Sequence, residues 1–74
     1  MNQIPLTLLS PGTTAKIAGI NSRQSGLVHK LAALGVLPGL PISVIQTYPS
    51  YLVQINQTQL ALDQATARCI VVLV

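Results

Sequence analysis

The sequence predicts a small, mainly β domain: an antiparallel β-barrel of about five short strands with one short helix inserted after the first strand. Three observations support this prediction. Short runs of alternating apolar residues recur at close spacing, a single segment has the period of a helix, and Gly, Pro or Asn separates the segments. The 74 residues show no shift in composition and no repeat, so we expect a single domain over residues 1–74.

The first strand is predicted over residues 14–20, where Ile and Thr mix with small residues directly after the Pro11-Gly12 turn signal. Successive side chains of a strand point to opposite faces, so Ala15 and Ile17 share one face. This is the strand after which we expect the helix.

The helix is predicted over residues 25–34. Leu27, Leu31 and Leu34 fall at positions i, i+4 and i+7 and therefore lie along one side of it. We assign these three leucines to the core.

Both ends of this helix carry signals in the sequence. Either Ser22 or Ser25 is expected to cap the first turn by accepting a hydrogen bond from a free backbone N–H. Gly35 is expected to close the last turn in the left-handed conformation. The Pro-Gly pair at residues 38–39 then predicts a type II turn that leads into a strand.

The second half of the chain is predicted as strands separated by reversals at residues 48–50 and 56–58. The first reversal is expected to join its two flanking strands into a hairpin, and the second returns the chain into a third short strand. The apolar positions are Ile42, Val44 and Ile45 in the first of these strands, Tyr51, Val53 and Ile55 alternating with Leu52 and Gln54 in the second, and Leu60 and Leu62 in the third.

The last segment is predicted as a strand over residues 68–74, after one helical turn at residues 64–67 that Asp63 caps. Both faces of this strand are apolar, with Ile70, Val72 and Val74 on one face and Cys69, Val71 and Leu73 on the other. One face is therefore expected to be covered by a partner.

Five short strands with a single inserted helix are typical of a small, strongly bent barrel of the SH3 or OB kind. Closing the sheet in this way removes most exposed strand edges. The helix is expected to plug one end of the barrel.

The chain holds few groups for catalysis, with one Asp, no Glu, one His and four Lys or Arg residues. Paired-carboxylate chemistry needs two acids, and a Ser-His-Asp triad is available by count only, because no serine lies in a nucleophile elbow. The glycines do not form a phosphate-binding loop, so we expect the protein neither to bind nor to hydrolyse GTP itself. The sequence thus predicts a protein that is not an enzyme.

A transition-metal site needs roughly three or four His, Cys or carboxylate ligands, and this chain offers His29, Cys69 and Asp63. We therefore expect no cofactor, with His29 an ordinary helix-surface residue and Cys69 a small apolar residue on the last strand. His29 and Cys69 stay weak candidates for a Fe(II) or Zn(II) site shared between the copies of a homo-oligomer.

The net charge of +3 reflects missing acids more than abundant bases. Four cations give too few phosphate contacts for strong binding, so we expect no nucleic-acid partner and keep a small RNA-binding barrel as a third hypothesis. We expect Lys16, Arg23 and Lys30 to belong to an ordinary solvated face; the alternative is a mild positive patch that docks onto an acidic surface. Such a patch would speed the encounter with an acidic protein surface more than it would tighten binding.

Apolar surface is the most distinctive property of the sequence, because 50% of its residues are hydrophobic and a domain of 74 residues cannot bury them all. Exposed apolar patches commonly bind partners. We predict two contact regions: Tyr48, Tyr51 and Leu52 around the hairpin, and Val71 and Leu73 on the outer face of the last strand.

No segment predicts a membrane span or export. The longest apolar run, residues 69–74, is far shorter than the about 20 residues that a spanning helix needs. The first residues lack the basic region and apolar stretch of a secretory signal, and a single cysteine suits a reducing compartment. These features predict a cytoplasmic protein that reaches the membrane through a partner only.

The run KLAALGVLPGLPI, residues 30–42, resembles the signature of the ferrous iron transport protein A family (FeoA): a basic-Leu pair, then Leu-Gly, Pro-Gly and a strand. Further similarity covers residues 9–12, 55–62 and 65–74, and thus nearly the whole chain. Residues 48–52 depart from the Pro-x-Gly-x-Pro segment that the family often carries there.

The resemblance implies an SH3-like β-barrel in the cytoplasm that acts beside a large membrane transporter for Fe(II) with a GTP-binding domain. The leading hypothesis is therefore a noncatalytic adaptor that binds and modulates this transporter. The alternative is a homo-oligomeric, transition-metal-responsive binding module that uses His29 or Cys69 between copies.

Overall fold

The computed structural model describes residues 2–74, and within them the chain forms six strands and two helices. Met1 lies outside the described residues. The strands form one antiparallel sheet in the order β1-β6-β2-β3-β4-β5. In chain order the elements are β1 Gln3–Pro5, a 3₁₀ turn Leu6–Leu8, β2 Thr14–Ile20, α1 Ser25–Ala33, β3 Pro41–Gln46, β4 Tyr51–Ile55, β5 Thr58–Leu62, α2 Gln64–Cys69 and β6 Ile70–Leu73.

The predicted mainly β fold with a short inserted helix is confirmed, and the sheet has one strand more than the sequence predicts. Strand β1 pairs with β6, with Ile4 opposite Val72. Two further backbone bonds extend this pairing, from the N–H of Asn2 to the carbonyl of Val74 and in the reverse direction. Three residues ending in Pro5 are too few to show a period of two, and proline lowers the strand propensity, so the sequence does not predict β1.

A single apolar core lies inside the bend of the sheet, and no polar or charged side chain of residues 2–74 is buried. Every strand after β1 contributes its inward positions to this core, and α1 and α2 contribute Leu31 and Ala67. The buried residues are Leu6, Leu9, Ile17, Leu31, Val36, Ile42, Val44, Tyr51, Val53, Ile55, Leu62, Ala67, Ile70 and Val72.

The end of α1 forms as predicted, because Gly35 adopts a φ of 99°. The N–H of Val36 donates to the carbonyl of Leu31 at 2.9 Å, and the N–H of Gly35 donates to the carbonyl of Ala32 at 3.0 Å. This pair of bonds is a Schellman motif, in which an apolar residue beyond the glycine packs near the last helical turn. Val36 and Leu31 are both 1% exposed.

Two predictions about α1 are wrong. Leu34 is 41% exposed, because it is the C-cap at which the chain leaves the helix, and Val36 takes the buried position instead. Leu27 is only partly buried against the core. No serine caps the first turn: Gln24 is the N-cap without a side-chain bond, and the Ser22 hydroxyl accepts only the N–H of Gln24, before the helix begins.

The predicted cap of α2 is confirmed, since Oδ1 of Asp63 accepts the backbone N–H of Thr66 at 2.8 Å. The helix then continues to Cys69, two residues further than predicted, and β6 starts at Ile70. Arg68 and Cys69 therefore belong to α2 and not to the last strand. No Gly or Pro follows the cap, so the helix ends only where the β-branched run Ile70-Val71-Val72 favours a strand.

No helix within residues 2–74 is both long enough and apolar enough to cross a membrane.

Candidate functional site

The turn between β3 and β4 presents a freely accessible aromatic ring. Tyr48 is 85% exposed, and it lines a groove of about 380 Å³ together with Thr47, Pro49 and, at the start of α2, Gln64. Leu52 is half-buried on the outer face of β4, opposite Ala61 of β5. The hairpin therefore offers Tyr48 and Leu52 to a partner, and their roles as contacts stay predictions.

The exposure predicted for Tyr51 is wrong. Tyr51 is 9% exposed and belongs to the core, although it also lines the groove beside Tyr48. The alternation of β4 places Tyr51 on the same face as Val53 and Ile55, which are also buried. Its position beside the turn suggested a surface residue, but the period of the strand determines its direction.

The second predicted contact region lies on β6, where Val71 and Leu73 are both half-buried. Strand β6 runs between β1 and β2, so its backbone is paired on both sides and only its outer side chains are free to touch a partner. Val71 also lines a shallow groove of about 310 Å³ beside the bulge in β2 near Gly19. Strands β2 and β3 separate β6 from β4 in the sheet, so the structure does not join the two predicted contact regions.

The two weak metal candidates lie on different helices. His29 is exposed on α1, as predicted for an ordinary surface residue. Cys69 is the last residue of α2, and its Sγ donates to the carbonyl of Ala65 at 3.4 Å. Within residues 2–74 no group of three His, Cys, Asp or Glu side chains could hold a metal ion. A site on these residues would need donors from a second copy.

Asp63 is the single acidic residue of the sequence, and its charge is used at the start of α2. Hydrogen bonds from the side chain and the backbone N–H of Thr66 lower the pKa of Asp63 from its ordinary value of 3.8; desolvation opposes this shift, and the positive charge of Lys30 adds to it. The ionised carboxylate is thus stabilised as a helix cap.

Two adjoining grooves run between α1 and α2 and share Leu27 and Thr66 in their walls. Lys30 lines one of these grooves and Arg23 lines the other. These two cations therefore lie on the same side of the molecule. Lys16 lies on β2 and lines neither groove.

The structure also exposes apolar side chains that the sequence did not single out. Leu37, in the loop between α1 and β3, is 45% exposed, and Leu8, in the 3₁₀ turn, is 67% exposed. The position of Leu37 directly before the Pro-Gly turn is a signal that could have identified it, because turn residues face solvent. Leu8 lies in a segment without a recognisable period.

Comparison with known proteins gives a consistent result. The family model described as the FeoA domain matches residues 4–74. Among solved structures, FeoA of Stenotrophomonas maltophilia, complexed with zinc and described as a procaryotic SH3 domain protein, is 25% identical, covers 90% of this chain and 86% of its own, and has a TM-score of 0.81. A search of curated proteins gives no match.

Two further structures extend the likeness of fold. A FeoA-like protein of Clostridium acetobutylicum is 22% identical over 100% of this chain and 88% of its own, with a TM-score of 0.86. IdeR of T. acidophilum is 26% identical, with a TM-score of 0.90, but this chain spans only 35% of its length. The same SH3-like fold thus occurs both alone and as a part of longer chains.

The family model covers the sheet from Ile4 onward, including the Schellman turn at Gly35 and the capped helix α2. The chain therefore belongs to the FeoA family of small proteins associated with ferrous iron transport.

Proposed function

We propose that the protein is a noncatalytic cytoplasmic adaptor that binds the cytoplasmic part of a membrane ferrous-iron transporter, including its GTP-binding domain, and modulates transport. Membership of the FeoA family over residues 4–74 carries this proposal. The relative from S. maltophilia supports it, since that protein is described with a proposed role as a bacterial ferrous iron transport activating factor.

The surface around the β3–β4 turn is the contact region that we favour for this partner. Tyr48 combines a large apolar ring with a hydroxyl that can donate a hydrogen bond, which is the type of side chain enriched at the centres of protein interfaces. Leu52 adds apolar area on the outer face of the same hairpin. Val71 and Leu73 on β6 provide the second face that we expect a partner to use.

The proposal is tested by an NMR titration of the labelled protein with the isolated GTP-binding domain of the transporter, in GDP and in a nonhydrolysable GTP analogue. We expect localised shifts at Tyr48 and Leu52 or at Val71 and Leu73, and a preference for one nucleotide state. Replacing Tyr48 or Leu52 with Asp should weaken binding about tenfold or more, because a charge then enters an apolar contact.

The matched control is Leu37→Asp, since Leu37 is 45% exposed and precedes β3, whereas Tyr48 follows it. This variant should bind like the unaltered protein. Tyr51 is not a suitable position for this test, because a charge at a core residue would unfold the chain. A lack of shifts in both nucleotide states would contradict the proposal.

The alternative function is a homo-oligomeric module that responds to a transition metal through His29 or Cys69. The zinc complex of the S. maltophilia relative is the observation that favours it. Both residues are single donors on their helices, so the metal would have to join at least two copies. Light scattering with and without Fe(II) or Zn(II) tests this function, and a mass that does not change with metal would remove it.

A further inference from the structure

The two edges of the sheet differ in how they are protected. Strand β1 has three residues and ends in Pro5. Strand β5 has five residues, contains neither a charged residue nor a proline, and pairs with β4 without a bulge. Natural proteins usually block an exposed edge with a charge, a proline, a bulge or a short strand. The edge of β5 has none of these features and is open to a further strand.

The unpaired backbone groups of this edge follow from the hairpin geometry. Residues 56–57 form a two-residue turn that joins the paired residues Ile55 and Thr58. In such a hairpin the first pair is hydrogen bonded, and bonded and non-bonded pairs then alternate along the ladder. The N–H and C=O groups of Gln59 and Ala61 therefore point away from β4. Both residues are exposed.

The end of this edge faces α1 across a groove of about 210 Å³. Ala61 and Leu62 line one wall of the groove, and Leu27, Lys30 and Leu34 line the other. A strand added beside Ala61 would therefore run between β5 and an apolar helix surface that carries one cation.

The charges of the molecule indicate which segment fits this position. The chain carries a net charge of +3, so two copies brought together edge to edge would repel each other, whereas an acidic segment would be attracted. Asp63 also lines the groove and stays ionised as the cap of α2, so an incoming segment would have to place its acidic side chains on the α1 side of the groove, away from this carboxylate. Lys30 is the cation on that side of the groove.

We propose that β5 accepts an extended, acidic segment of a partner protein as an additional strand, paired with Gln59 and Ala61 and facing α1 at Lys30. This mode is β-strand addition, in which the main chain provides affinity and the alternate side chains provide specificity. It deepens the proposed function, on which it rests, by naming the type of segment through which a partner docks.

The test uses the labelled full chain and two synthetic peptides of about nine residues, the length of a long strand, one alternating Val with Glu and one alternating Val with Lys. We expect the Val-Glu peptide to shift the amides of Gln59 and Ala61 and to slow their hydrogen exchange. The Val-Lys peptide should do neither.

Two variants make the test specific. Ala61→Pro removes an outward N–H without removing a hydrogen bond to β4. This variant should bind the Val-Glu peptide with an affinity roughly five- to tenfold lower. Lys30→Glu should weaken the Val-Glu peptide and allow the Val-Lys peptide to bind, an exchange of preference that a loss of folding would not produce. Lys16→Glu, on β2 and outside the groove, changes the net charge by the same amount and is the matched control; it should keep the preference for the Val-Glu peptide.

Unchanged hydrogen exchange at Gln59 and Ala61, or peptide shifts confined to Tyr48 or Val71, would overturn the inference. Protection that grows with protein concentration without peptide would also overturn it, because the occupant would then be a second copy. The GTP-binding domain separates this inference from the proposed function. Domain binding at Tyr48 with no change at β5 would reject the inference alone, whereas peptide binding at β5 without domain binding would reject the proposed function alone.

Discussion

At the scale of single residues, the position of a side chain within its element decides whether it is structural or accessible. Tyr51 and Leu52 are neighbours in sequence, yet Tyr51 is in the core and Leu52 lies on the outer face of β4. The alternation of the strand predicts this difference, whereas closeness to the turn does not. Within β4 the alternation of the strand therefore gives the burial of each side chain, whereas the prediction for Tyr51 that followed its place beside the turn fails.

Asp63 gives the first stability prediction, because its ionised form caps α2. The pKa of Asp63 is lower in the folded protein than its unfolded value of 3.8. The ionised carboxylate therefore contributes fully to the free energy of unfolding above pH 3.8, and this contribution is lost as the pH falls through the folded-state pKa. Asp63→Ala should therefore lower the midpoint of thermal unfolding at neutral pH. In strong acid the midpoints of this variant and of the unaltered protein should become equal. Circular dichroism melts between about pH 2 and pH 7 measure this difference.

Asp63→Asn is the control for this experiment. Asparagine also caps helices but does not ionise, so this variant should keep most of the stability at neutral pH. If the midpoints of the unaltered protein and of Asp63→Ala differ by the same amount at all pH values, the charge of Asp63 does not contribute to stability.

At the scale of elements, local signals predict the end of α1 but neither its N-cap nor the end of α2. The sequence predicts α1 and its closing glycine because the leucine period and Gly35 agree. It does not predict that Leu34 is exposed, because burial there depends on Val36 returning to the core after the turn. The extent of α2 fails for a similar reason, since Arg68 and Cys69 are compatible with both a helix and a strand.

The Schellman turn gives a prediction at this scale, with Gly26 as an internal control. A Cβ added at Gly35 or at Gly26 would meet no atom within 4 Å, so the two substitutions differ only in backbone conformation. Gly35→Ala should lower the free energy of unfolding by about 1–2 kcal/mol, because Gly35 has a left-handed φ of 99°. Gly26→Ala, inside α1, should stabilise the protein by up to about 1 kcal/mol.

Urea unfolding of both variants measures these free energies. Equal effects of the two alanines would contradict the assignment of the Gly35 cost to its backbone conformation. A larger loss of stability in Gly26→Ala than in Gly35→Ala would contradict the same assignment.

At the scale of the whole molecule, β1 determines which strands lie at the edges of the sheet. It covers β6, whose residues Ile70 to Leu73 are all apolar, and leaves the uncharged β5 as the longer edge. A variant without residues 1–5 should therefore be less stable and should self-associate through β6, because an apolar edge strand is then exposed. Light scattering against protein concentration, with the full chain as reference, measures this association. A monomeric truncated protein would show that β1 does not protect β6.

The bonds between Asn2 and Val74 hold the two ends of the described chain beside each other. A fold with adjacent ends can be placed within a loop of another protein, or joined end to end and opened elsewhere, with little change in its packing. The turn at residues 56–57, exposed and distant in sequence from both ends, is a suitable place for such an opening. A circular permutant that begins at Gln57 is thus compatible with the same core, and it would present the β5 edge at a new amino terminus.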